Sequence, residues 1–102
     1  MQRSPATHDH TVWETTDANG RLVELSFARW RHIVEEHPEL RLTPTILLSI
    51  VSDPDRRTPG HEAGEEWCYG RDLGPSHWVR VVVHYEDDRG QVVTAFPRRA
   101  FP

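Results

Sequence analysis

The sequence predicts an α+β domain: an N-terminal β-hairpin, two helices, then a three-stranded antiparallel meander, with the helices packed on one sheet face. Three observations carry that prediction. Two short runs rich in apolar and β-branched residues flank Asn19-Gly20. Two stretches between Phe27 and Val51 repeat their apolar residues at helical spacing. From Trp67 onward the repeat changes to two, the period of a strand with one buried face.

Residues 1–10, MQRSPATHDH, are polar and show no periodicity, so they read as a flexible tail ahead of a single domain over 11–102. His8 and His10 flank Asp9 and could catch a stray metal, but a solvated tail is the better reading. Thr11 to Thr16 and Arg21 to Leu25 are then the strands of the hairpin, because Asn-Gly supplies the positive-φ positions of a tight reversal.

The first helix is expected from about Phe27 to Glu36. Phe27, Trp30, Val34 and His37 follow one helix face, with Ile33 widening the stripe. Ser26 is a natural N-cap, and Pro38 disfavours helical geometry at His37, so the helix stops there. His37 thus sits at the C-terminus, where the helix dipole favours imidazolium by roughly 0.3–1 kcal/mol. His32 points about 160° away from the Trp30–Val34 stripe if the helix is regular.

Thr43-Pro44 is a helix start, an N-cap followed by proline at the first helical position, and Ile46, Leu47, Ile50 and Val51 form the second stripe. Ser52, Asp53 and Pro54 end it. Residues 53–66, DPDRRTPGHEAGEE, are rich in Pro, Gly and charge and read as a long mobile loop. Trp67 to Gly70, Trp78 to Tyr85 and Gln91 to Phe96 are the strands of the meander. In WVRVVVHY, Val79, Val81, Val83 and Tyr85 share the face that covers the helices. Arg80 and His84 belong to the other, more open face. The side taken by Thr94 stays undecided, because a one-residue slip would reverse it.

Composition narrows the function classes. The chain has 102 residues, 36% hydrophobic and 27% charged, with a net charge of −4, which gives no global attraction to nucleic acid. Any such binding must come from a local cluster of arginines, since there is no lysine. A single cysteine, Cys68, excludes an intrachain disulfide and a multi-cysteine zinc site. With no apolar stretch near membrane-spanning length and no signal-peptide core at the N-terminus, a cytoplasmic protein with no membrane association is expected.

Two imidazoles, a guanidinium and a hydroxyl are a kit for metal-free cleavage of RNA. A base takes the proton of the ribose 2′-OH, arginine stabilises the charge developing on phosphorus, and an acid protonates the leaving 5′ oxygen. Imidazole suits both proton roles because it titrates near neutrality. Each residue also has a plainer reading: His32 as a solvated surface residue, His37 as a helix cap, Arg80 as the partner of a carboxylate such as Glu66, and Thr94 as a strand former. Trp67 and Tyr69 could be core, Arg71 a loop charge, and His61 and Glu62 inert loop residues.

The helix W-x-H-I-x-x-x-H-P-E-L (30–40), the D-P-D that ends the second helix (53–55), the aromatic strand at Trp67 and Tyr69, the strand from Trp78 to Val83 and the final V-T-A-F (93–96) form a pattern. As a whole it resembles the small bacterial and phage-associated proteins of the barnase–EndoU–colicin–RelE-like nuclease fold, several of them toxins. The resemblance spans about Val23 to Phe96. It implies a metal-independent endoribonuclease with no cofactor, in which His32, His37 and Thr94 are catalytic and Arg80, Arg71 and Tyr69 bind substrate. The implied partners are RNA and a cognate antitoxin or immunity protein. RelE-type toxins are usually basic, whereas this chain is acidic, so a positive patch confined to the cleft would have to attract the RNA.

Two readings stand against it. One is a non-catalytic binding or regulatory module of a mobile-element or toxin–antitoxin system, with Trp67 and Trp78 as anchors for a protein partner. The other, metal-dependent hydrolysis through His32, His37 and His84, is the weakest, because no carboxylate stands at ligand spacing from any of them. An exposed strand edge leaves a dimer possible.

Overall fold

The computed structural model describes residues 12–73 and 75–100; the tail expected at 1–10 lies outside them. Strands β1 (Val12–Thr16) and β2 (Leu22–Ser26) pair antiparallel around the Asn19-Gly20 reversal, where Gly20 takes a φ of 84° that few other residues tolerate. Helix α1 covers Phe27–Glu36, the span its sequence signals predict. Ser26 Oγ accepts the Arg29 amide at 3.1 Å, so the N-cap forms as expected. A short 3-10 turn, Pro38–Leu40, leads to α2, Pro44–Ser52, which Thr43 caps by accepting the Ile46 amide at 3.2 Å.

The α+β class holds, but the layout is richer than a hairpin plus a meander. Four further strands, β3 (Arg56–Pro59), β4 (Glu65–Arg71), β5 (Trp78–Glu86) and β6 (Arg89–Arg98), complete one six-stranded mixed sheet in the order β1-β2-β6-β5-β4-β3. The segment expected to be a mobile loop at 53–66 therefore contains an edge strand. Local composition argues against a strand in RRTP; its antiparallel pairing with β4, from Arg56 opposite Tyr69 to Pro59 opposite Glu66, supplies what propensity lacks. The second difference is the parallel pairing of β2 with β6, from Leu22 opposite Arg89 to Glu24 opposite Gln91, which joins the hairpin to the later strands.

Both helices pack on one side of the sheet. The core joins Val23 and Leu25 of β2, Val79, Val81 and Val83 of β5, and Val92 and Ala95 of β6 to Ile33 of α1 and to Leu47, Leu48, Ile50 and Val51 of α2. The Val79–Tyr85 set thus covers the helices, as the alternation of β5 requires. Each fully buried aliphatic side chain contributes about 1.5–3 kcal/mol by leaving water. The α1 stripe is turned slightly from its expected centre: Ile33 is the buried residue, while Val34 is 43% exposed.

At one end of this layer a polar network replaces apolar packing. Asp17 Oδ2 accepts the Tyr85 hydroxyl at 2.7 Å and Arg21 Nε at 2.8 Å, while its Oδ1 accepts the Asn19 and Arg21 amides at 2.8 and 2.9 Å. Arg21 lies 3.6 Å over the Tyr85 ring and reaches both oxygens of Glu66 at 3.1 Å. Glu66, expected as a partner for Arg80, instead serves Arg21 and Arg57, because it points to the helix side. Burial alone would raise the Asp17 carboxyl pKa, but the Tyr85, Arg21 and Asn19 hydrogen bonds outweigh it and hold the group below its ordinary value. Burial, then the hydrogen bond to Asp17, pushes the Tyr85 phenol upward.

Candidate functional site

The outer face of the sheet, away from the helices, carries the strongest chemical signal. Antiparallel register aligns its side chains in rows across the strands. One row runs Arg56, Tyr69, Arg80 and Phe96 across β3, β4, β5 and β6; the next runs Arg71, Trp78 and Arg98. On the other side of the first row lie Thr58, Trp67, Val82 and Thr94. No aspartate or glutamate occupies a position in these three rows. In a chain of net charge −4, four arginines therefore stand in these rows, with acidic side chains at their margins: Asp55 Oδ2 accepts the Arg71 amide at 2.8 Å and Glu65 Oε1 accepts the Trp67 indole N–H at 3.2 Å.

Arg80 is the centre of the arrangement. It is only 7% exposed, yet among the described residues no carboxylate lies within ion-pair distance of it. Its Nε donates to Tyr69 Oη at 2.9 Å. Its guanidinium lies 3.8 Å over the Trp67 ring and 5.3 and 5.4 Å from the Tyr69 and Phe96 rings. Three aromatic faces compensate part of the charge, with each cation–π contact contributing about 0.5–2 kcal/mol. The remaining guanidinium N–H groups have no hydrogen-bond acceptor among the described residues. A guanidinium withdrawn from water in this way attracts an anion.

The side taken by Thr94, undecided in the sequence, is settled by a β-bulge. Val83 pairs with Val92 but Val82 pairs with Thr94, so Val93 is the extra residue and Thr94 falls on the Arg80 side. His37 reaches the same neighbourhood from the helix layer. It is the C-cap of α1, its amide donating to the Ile33 carbonyl at 2.8 Å, and its ring centroid lies 5.8 Å from that of Phe96. Phe96 therefore touches both His37 and Arg80. His37 Nδ1 is 3.4 Å from Glu39 Oε2, a long contact. On its other side His37 helps line an apolar hollow of about 350 Å³ with Trp30, Ile33, Val34, Leu40 and Leu47.

Arg71, exposed at the end of β4, lies 4.7 Å over the Trp78 ring, and Tyr69 is buried beneath Arg80. The structure thus brings Arg80, Tyr69 and Phe96 together, with His37 at one end and Arg71 one row away. His32 is exposed on α1 and makes no hydrogen bond or ion pair among the described residues.

Two participants escaped the sequence reading. In the sequence Phe96 reads only as a strand residue, because its bridging role depends on the cross-strand pairing with Arg80. His61, set aside as inert, packs edge-on against Trp67 with 4.7 Å between ring centroids, and its amide donates to Glu65 Oε1 at 3.0 Å. The signal for Phe96 lies in the pairing of strands distant in sequence, and that for His61 in the β3–β4 turn that folds it back on Trp67. Among the described residues no three His, Cys, Asp or Glu side chains converge on a point that could hold a metal ion, and no helix is long and apolar enough to cross a membrane. Comparison of the chain with protein-family models, curated proteins and solved structures returns no match.

Proposed function

We propose that this protein acts on RNA at the outer face of its sheet, as a metal-independent endoribonuclease of the toxin type with Arg80 as its phosphate-binding group. The observation that carries the reading is Arg80 itself: a buried guanidinium held flat by Trp67, Tyr69 and Phe96, with no carboxylate partner among the described residues. A phosphodiester meets that need with bidentate geometry. Cleavage by this site uses His37 as the base. It takes the 2′-OH proton, the 2′ oxygen attacks phosphorus, and the 5′ oxygen leaves with a proton from water, giving a 2′,3′-cyclic phosphate. Such a protein would work in the cytoplasm and be held in check by an antitoxin or immunity protein.

A second reading, a binding module without chemistry, is favoured by one observation: His32, the other imidazole of the expected pair, makes none of the contacts that link His37 to Phe96 and Arg80. The two readings separate in one experiment. Purified protein is mixed with labelled RNA in EDTA, and both retention and cleavage are followed for the natural chain, Arg80→Met and His37→Ala. Arg80→Met keeps the stem in its aromatic setting and removes the charge, so the fold should survive. Binding should weaken roughly tenfold or more, the loss expected for one charged hydrogen-bonding group. His37→Ala should abolish cleavage and spare binding. Binding without cleavage selects the non-catalytic module, and no binding at any salt concentration overturns the proposal.

A further inference from the structure

We infer that the hollow between α1, the 3-10 turn and α2 is a binding site for a small amphipathic carboxylic acid, with Arg41 as the group that holds the carboxylate and the apolar floor as the seat of an aromatic or branched body. The site is separate from Arg80, and the inference does not rest on the RNA reading.

The hollow measures about 350 Å³, within the range of pockets that take small ligands. Its floor is apolar: Ile33, Leu40 and Leu47 are buried members of the core, and Trp30 and Leu42 pack half-buried against them. Its mouth is open, for Val34 is 43% exposed and Arg41 is exposed beside it in the lining. The polar side chains that line it, Arg41, His37 and Trp30, all carry N–H donors, and no aspartate or glutamate stands among the lining residues. Glu39 meets His37 at 3.4 Å without lining the hollow. The Trp30 indole N–H makes no hydrogen bond among the described residues. A lining of donors over an apolar floor suits a ligand that is an acceptor at one end and apolar at the other.

Arg41 gives that acceptor its charge. The residue caps the 3-10 turn in the left-handed region, with φ 56° and ψ 31°, a conformation that glycine takes without strain. Here the position instead brings a guanidinium to the rim, and among the described residues it makes no hydrogen bond, ion pair or ring contact. A carboxylate matches its paired N–H groups, while the apolar body of the ligand displaces water from the floor. A protein partner fits less well. The exposed residues next to the mouth in the chain are Glu35, Glu36 and Glu39, whereas the centre of a protein interface is poor in charge.

The test titrates the ¹⁵N-labelled natural chain, Arg41→Gln and Val34→Glu with phenylpropionate and with its uncharged amide, following the indole N–H signals, with sedimentation equilibrium run alongside. Both substitutions fall at exposed positions, and thermal melts check that each variant is folded. Phenylpropionate should shift the Trp30 signal saturably, with a Kd of roughly millimolar or tighter, and leave Trp67 and Trp78 unmoved. Arg41→Gln, which removes the charged partner, and Val34→Glu, which places a like charge at the mouth, should each weaken it roughly tenfold. The amide should bind the natural chain and Arg41→Gln alike, and more weakly than the natural chain binds the acid. Equal binding of acid and amide by the natural chain overturns the role of Arg41. Shifts confined to Trp67 and Trp78 would put the acid at Arg80 and overturn the site. So would the absence of any saturable shift up to about 10 mM. A dimer of the natural chain that Val34→Glu dissociates would assign the hollow to a second copy and overturn the small-acid ligand.

Discussion

Asp17 and Arg80 show how differently a single chain can treat two withdrawn charges. Asp17 receives a full set of donors, and its function is to fasten the hairpin loop to β5 through Tyr85. Its carboxyl pKa is depressed below 3.8, so the folded state holds fewer protons than the unfolded state as the pH drops through that region. The stability it contributes is therefore fully present above the unfolded value and is lost as pH falls through the lower, folded one. Asp17→Asn should cost about 1.5–3 kcal/mol at neutral pH and flatten the acid limb of stability against pH, as read by urea denaturation from pH 2 to 7. An unchanged acid limb would mean that another group controls it. Cys68 makes a separate point. Burial pushes its thiol up to about 12, so the thiolate is scarce at neutral pH. Iodoacetamide at pH 8 should label the native protein far more slowly than the same protein in urea.

The elements divide by how locally they are written. Both helices are legible because their signals lie within a few residues of their ends: Ser26 and Pro38 for α1, Thr43-Pro44 and Asp53-Pro54 for α2. Strand β5 is legible because its alternation has only one apolar face. Strand β3 is not, since Arg56–Pro59 pairs with β4 across a loop, and its own residues favour a turn. The side of Thr94 was equally out of reach, for it depends on one extra residue at Val93, and no local pattern marks a bulge. The β3–β4 turn tests how tightly this pairing is built. Gly64 has a φ of 81°, and a Cβ there would lie 2.6 Å from the Tyr85 carbonyl oxygen. Gly64→Ala should therefore cost more than the roughly 1–2 kcal/mol of left-handed backbone strain alone, measured as a shift in the denaturant midpoint. A neutral substitution would show that the turn relaxes freely.

For the whole molecule, the parallel pairing of β2 with β6 matters most, because it makes one sheet of two local units and leaves that sheet a helix-covered face and an outer face. The core face could be read from hydrophobic alternation. The grouping of arginines and aromatic rings on the outer face could not, since Arg56, Tyr69, Arg80 and Phe96 come from four strands spread over 41 positions, aligned only by register. The four tryptophans offer an internal control for the function assigned to that face. Trp67 and Trp78 lie on it, whereas Trp13 and Trp30 pack against each other and the core on the helix side, with 6.2 Å between their ring centroids. The most direct test is a titration of ¹⁵N-labelled protein with a single-stranded RNA octamer, following the four indole N–H signals and the Arg80 Nε–H signal. Saturable shifts of Trp67, Trp78 and Arg80, with Trp13 and Trp30 unmoved, are the predicted result; shifts confined to Trp13 and Trp30, or none, would contradict it.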